Sequence, residues 1–177
     1  MAIAAVMLVG SPSTANAADE AFTKGPVFTT FGPAAAVDTD MSIPAGTQFA
    51  IAFDAVDAAR PEETNRKLIT AGRFMNMHVA AGVPQDDIKL AIVVHGKAAF
   101  DMTQDNFYSR QYDGSQNASK YAVKALTGEG VRIIICGQTA RYHGIEKTDL
   151  LPGVEMALSA MTAHALLAQD GYTLNPF

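Results

Sequence analysis

Two stretches constrain this chain most: "IKLAIVV" from Ile88 to Val94, and "VRIIIC" from Val131 to Cys136, are apolar almost without a break. A strand with one wet face alternates apolar and polar residues, so a continuous apolar run needs cover on both faces. Parallel sheets sandwiched between helices meet that need.

Around these runs, strand-like and helix-like segments alternate. "TQFAIAFDAV" from Thr47 is a β-type run. It is followed by "PEETNRKLITAGRFMNMHVAAG", with Pro61 and two acids in a first helical turn, apolar residues at helical spacing and a closing Gly82. A second helix is expected from about Ser115 to Leu126. "VEMALSAMTAHALLAQDGYTLNPF" reads as a short strand, a helix ending at Gly171, and a last strand or tail. The expectation is an α/β domain over residues 47–177: a three-layer α/β/α, doubly wound, mainly parallel sheet of about five strands. With 177 residues, 49% of them hydrophobic, the chain can fill one core but not two.

Before that domain lies an expected arm, residues 19–46, in which Gly25 to Gly46 is rich in Gly, Pro, Thr and Ala. Two short apolar pieces, Val27 to Phe31 and Ala34 to Val37, flank Gly32-Pro33 and suggest a hairpin or extended arm. Residues 1–18 carry a short apolar run, Ala2 to Val9, and the small-residue pattern Ala15-Asn16-Ala17 of a signal-peptide cleavage site, without a basic start. The run is far shorter than the ~20 residues that span a bilayer. An exported, periplasmic protein with a mature chain beginning near Ala18 or Asp19 is the expectation, and a cytoplasmic one is the alternative.

Charge and cysteine usage exclude other classes. Thirteen Lys and Arg against eighteen Asp and Glu give a net charge of −5, with the basic residues scattered, which argues against nucleic acid as a partner. The chain has one cysteine, so no intrachain disulfide can form. No Cys-x-x-Cys or His-x-x-x-His spacing suggests a metal site, and no motif calls for a cofactor.

In a doubly wound sheet, ligands bind beyond the carboxyl ends of the strands. Four polar residues fall there: Asp54 after "AIAF", His95 after "AIVV", Cys136 after "RIII" and Ser159 after "EMAL". A thiol just before a helix N-terminus is biased toward thiolate, with Gly137 allowing close backbone approach, Gln138 following it and Thr139 available as a cap. His95, followed by Gly96, would stabilise the anion or relay a proton, and Asp54 would orient it. Each has a plainer reading: Cys136 as a small buried hydrophobe, His95 as a hydrogen-bonded strand end, Asp54 and Ser159 as caps. His143, in the "ARYHG" loop, is a second candidate acid or base. His164, between two alanines, reads as a core or interface histidine.

The segments "KLAIVVHGKA", "GVRIIICGQTARYHGIEKTDLLPGVEMALSAMTAHALLAQDGYTLNP" and "GPVFTTFGPAAAV" resemble the DsrE/DsrF-like family of YchN-type α/β proteins, in particular exported members with a Cys-Gly-Gln motif. The resemblance implies a sulfur carrier or sulfurtransferase-like protein in which Cys136 holds sulfane sulfur as a persulfide, with His95 beside it. It also implies a homo-oligomer, a trimer or hexamer, and a sulfur donor or acceptor protein or small sulfane-sulfur compound as partner. A non-catalytic ligand-binding or assembly module of the same fold is one alternative. A cysteine hydrolase using Cys136, His95 and Asp54 is another.

Overall fold

The computed structural model describes residues 21–177; the expected leader, and the first two residues of the expected arm, lie outside the described residues. The sheet is five-stranded and entirely parallel. Its strands are β3 (Phe49–Ala55), β4 (Ile88–Val94), β5 (Arg132–Cys136), β6 (Val154–Ala157) and β7 (Thr173–Asn175), in the order β6-β5-β4-β3-β7. The two continuous apolar runs are the central and penultimate strands β4 and β5. Their neighbours and both layers of helices remove water from every side.

Four helices lie on the connections that wind from β3 to β6: α1 (Arg66–Ala80), α2 (Asp105–Gln111), α3 (Lys120–Gly128) and α4 (Gly137–His143). A fifth, α5 (Ala160–Gln169), joins β6 to β7 and covers the opposite face. Against α1 and α3 the sheet turns Phe53, Leu90, Ile92 and Ile133, packed with Leu68, Met75 and Leu126. Against α5 it turns Ala52, Ala91, Val93 and Ile134, packed with Ala163 and Leu167. Small residues on this second face let one helix approach closely.

Several boundaries differ from the sequence reading, each for a local reason. The helix expected from Pro61 begins at Arg66, because Asn65 caps it: its Oδ1 accepts from Lys67 N–H at 2.9 Å. Pro61 to Glu63 form a turn in which Glu62 has φ 70°, outside any helix. The helix expected from Ser115 begins at Lys120. Asn117 occupies the preceding turn, donating from Nδ2 to Asp101 O and Thr103 O and accepting on Oδ1 from Ser119 N–H. The segment Gly96–Met102, a 3-10 helix, and α2 were not anticipated.

The arm does form an antiparallel pair, but its strands are β1 (Phe22–Thr23) and β2 (Ala34–Ala35), and Val27 to Phe31 is the bend between them. Buried Asn76 on α1 clasps that bend. Its Oδ1 accepts from Val27 and Phe28 N–H at 3.0 and 2.8 Å, and its Nδ2 donates to Phe28 O and Gly32 O at 3.0 Å. Among the described residues no helix is long and apolar enough to cross a membrane, and no cluster of His, Cys, Asp and Glu could hold a metal ion.

Candidate functional site

The connections after β3, β4 and β5 leave toward the α1 side, whereas the one after β6 leaves toward α5. The crevice where connections diverge therefore opens between β5 and β6, at the carboxyl edge of the sheet. Cys136 is the last residue of β5 and pairs with Ala157 at the end of β6. Side chains alternate along a strand, so Asp54, His95 and Cys136 fall on the same face as Ala52, Val93 and Ile134, two residues earlier in each chain segment. That is the α5 face. A cavity of about 840 Å³ opens there, lined by Asp54, His95, Cys136, Ser159, His164 and Lys67 among others.

Cys136 sits at its floor and is 6% exposed. Two helix N-termini meet at the sulfur: Cys136 itself occupies the cap position of α4, and Ala160 opens α5. Burial pushes the thiol pKa up, but hydrogen bonding from the Thr139 N–H and hydroxyl and from the Ala160 and Gln138 N–H groups outweighs it. The net effect holds the thiol below its ordinary value. Thr139 thus serves the sulfur; α4 has no side-chain cap.

Gly137 makes this geometry possible. A Cβ there would lie 2.6 Å from Ala157 O, so any other residue would push α4 and β6 apart. Gln138 ties the same junction from its side chain, donating from Nε2 to Leu158 O at 3.2 Å. Ser159 is the cap of α5, its Oγ accepting from Thr162 N–H at 3.0 Å, and it lines the cavity as well.

Across the cavity Asp54 joins two imidazoles. His95 donates from Nε2 to Oδ2 at 2.9 Å, and His164 donates from Nε2 to Oδ1 at 2.8 Å. Partial burial raises the Asp54 pKa, but the hydrogen bonds from His164 and His95 and their positive charge outweigh it, holding the carboxyl below the usual range. Both rings thus engage Asp54 through Nε2, which leaves Nδ1 of each without a hydrogen-bond partner among the described residues. Gly96 follows with φ 57°, its Cα packed where a Cβ would be 2.9 Å from Val56 O, which fixes the turn that aims His95.

One expectation needs correction. His143 lies at the far end of α4, about 10 Å along the helix from the thiol at 1.5 Å per residue. Its ring packs on Phe100 with centroids 4.6 Å apart and does not line the cavity. His95 bonds Asp54, the residue expected to orient it, and lines the same cavity as Cys136, while the donors at the sulfur itself are Thr139, Ala160 and Gln138.

Two features were missed. His164 does turn inward, but onto Asp54. The signal was available, because Ala160, Ala163, His164 and Leu167 form an i, i+3, i+4, i+7 stripe, which is the sheet-facing side of α5. Asn65, Arg66 and Lys67, which bring the β3–α1 connection into the lining, carried no comparable signal.

An open parallel α/β sheet with one thiol at the crevice of its carboxyl edge defines the class of protein. A model of the DsrE/DsrF-like family matches residues 38–176, and the chain belongs to that family. Among solved structures it is similar to MTH1491, a protein of unknown function from Methanobacterium thermoautotrophicum. That match has 18% identity and a TM-score of 0.53, and covers 73% of this chain and 100% of the other. The ychN protein from E. coli is similar at 16% identity, with a TM-score of 0.48 and the same coverage, 73% and 100%. No curated protein matches the chain. Family and fold are thereby fixed as DsrE/DsrF-like and α/β, in a family associated with sulfur relay.

Proposed function

We propose that this protein is a sulfur carrier or sulfurtransferase-like protein in which Cys136 accepts sulfane sulfur and passes it on. The observation that carries the reading is a single thiol held below its ordinary pKa at the floor of a cavity. In the loading step the Cys136 thiolate attacks the outer sulfur of a persulfide donor, R–S–SH. A Cys136–S–SH persulfide forms, the donor S–S bond breaks, and R–S⁻ leaves with the electron pair. His95 or His164, as the imidazolium that forms on taking the Cys136 thiol proton and that Asp54 steadies, protonates that leaving thiolate and returns to neutral imidazole. Unloading runs the same exchange with an acceptor thiolate.

Intact-mass measurement after brief exposure to polysulfide tests the proposal. The wild type should gain one or more sulfur atoms, removable by a thiol reductant, and Cys136→Ser should gain none. Loading that persists in Cys136→Ser would place the sulfur elsewhere and defeat the reading.

The hydrolase reading draws on the 2.9 Å His95 to Asp54 bond, which has the form of a base with its orienting carboxylate. His95→Ala separates the two. A hydrolase would lose activity at every pH, whereas a carrier should recover its loading rate at alkaline pH, where the thiolate forms unaided. A non-catalytic binding module would load no sulfur in either protein.

Under the same proposal the chain is one of the exported members of the family, a reading supported by the Cys-Gly-Gln run, Cys136 to Gln138. Export is tested by whether the N-terminus of the protein from cell envelopes begins near Ala18 or Asp19. The proposal extends to assembly as a trimer or hexamer through α5. That helix carries no Asp, Glu, Lys or Arg, and its Met161 is 80% and Leu166 55% exposed. Sedimentation at micromolar concentration should give a trimer or hexamer, which Leu166→Glu should dissociate. A wild-type monomer would overturn it.

A further inference from the structure

One buried titratable group reaches the cavity wall from behind. Asp101, in the 3-10 segment after His95, is 0% exposed. Its Oδ2 accepts from Ala59 N–H at 2.8 Å and from Asn65 Nδ2 at 2.7 Å. Its Oδ1 is buried without a hydrogen-bond partner, the one such side-chain atom among the described residues. Asn65 also donates from Nδ2 to Asp57 O at 3.0 Å, and its own N–H donates to Ser119 Oγ at 2.9 Å. One carboxyl therefore fastens the connection from β3 to α1, which brings Val56, Asp57, Asn65, Arg66 and Lys67 to the cavity.

We infer that Asp101 is a positioning residue that makes this wall respond to pH: ionised, it favours a loosened connection in which water reaches Oδ1, and protonated it favours the closed one. A carboxylate with a bare oxygen in a dry site is destabilising, and hydrogen bonds to the other oxygen offset this only in part. No ion pair among the described residues includes Asp101. From α2, Tyr108 and Tyr112 face it, and both are held in the neutral form by their own burial and by the Asp101 charge. Asp105 on α2 is engaged by Lys120 of α3 and by Asn117 N–H. Of the charged residues in the connection, Arg60 pairs with Glu63, Asp57 lines the cavity, and Glu62 is exposed in the turn.

Burial raises the Asp101 pKa to about 6, against the pull of the Asn65 and Ala59 hydrogen bonds. A carboxyl whose pKa is higher in the closed form than in the loosened form stabilises the closed form when protonated. That advantage is complete below about pH 4 and is lost as the pH rises through about 6. The wall therefore loosens between acid and neutral pH, whether or not Cys136 carries sulfur.

Amide hydrogen exchange at Ala59 and Asn65 between pH 4 and 8, corrected for intrinsic rates, tests this in the wild type and Asp101→Asn. Relative to the variant, wild-type protection should fall by up to about a hundredfold across that range. The same pH profile in both proteins would overturn the inference. If Asp101→Asn does not fold, a carbon-13 carboxyl titration of the wild type decides it. A midpoint near 6, with the Ala59 and Asn65 amide shifts following it, supports the inference; a midpoint near 4, or amide shifts that ignore the titration, overturns it.

Discussion

The two faces of the sheet are built from alternate residues of the same strands, yet they do different work. The face toward α1 and α3 presents large side chains, Phe53, Leu90, Ile92 and Ile133, in a core that includes Leu68 and Leu126. The face toward α5 presents Ala52, Ala91, Val93 and Ile134, and its strands end on that side in Asp54, His95 and Cys136. Stability is concentrated on the first face. The second gives up apolar volume so that one helix can bring His164 and the Ala160 N–H to the strand ends.

This division is open to direct challenge, and the largest effect is expected on the first face. Leu68→Ala should cost about 2–5 kcal/mol, read as a fall in the denaturation midpoint, with the reactivity of Cys136 in the folded fraction unchanged. Altered thiol reactivity would mean that the faces are not separable. On the second face Ala91→Leu should cost about 1–3 kcal/mol by overpacking. It should also slow thiol alkylation at neutral pH, because a displaced α5 takes the Ala160 N–H from the sulfur. Unchanged alkylation with lost stability would show that α5 tolerates displacement.

Smaller effects sharpen the contrast. The lowered pKa of Asp54 makes its contribution to stability fully present above the ordinary carboxylate value, near 4, and lost as the pH falls through the lowered value. Asp54→Asn should therefore differ from wild type at pH 5–8 by about 1 kcal/mol or less, and the difference should fade in stronger acid. Its larger effect should be on sulfur loading, since both imidazoles lose their orienting anion. Denaturation across pH and loading at pH 7 measure the two. Smallest is Arg132→Ala, which removes an exposed bidentate pair with Glu155, its bonds 2.9 and 2.7 Å long. Urea denaturation should register a change below about 1 kcal/mol.

The sheet was legible because continuous apolar runs in β4 and β5 leave little choice beyond a buried parallel core, and the strand-end residues followed from it. Cys136, His95, Asp54 and Ser159 do line one cavity. What stayed hidden depends on contacts far apart in the chain. Asn65 sets the start of α1 partly through Asp101, 36 residues later, and the arm is placed by Asn76 across a separation of 48 residues. The partner of Asp54 on α5 lies 110 residues away. His143, by contrast, is close to Cys136 in sequence, and a two-turn helix carries it off to Phe100.

The central claim is that Cys136 is a poised thiolate rather than a buried apolar side chain. The most direct measurement is the rate of iodoacetamide labelling of the native protein as a function of pH, with Thr139→Val alongside. The account predicts that Cys136 labels without denaturant, with a midpoint below the ordinary thiol value of about 8.5. Thr139→Val, which removes the hydroxyl at the sulfur, should slow labelling at pH 7 by up to about tenfold. Labelling that waits for denaturant, or a native midpoint at or above about 8.5, would contradict it.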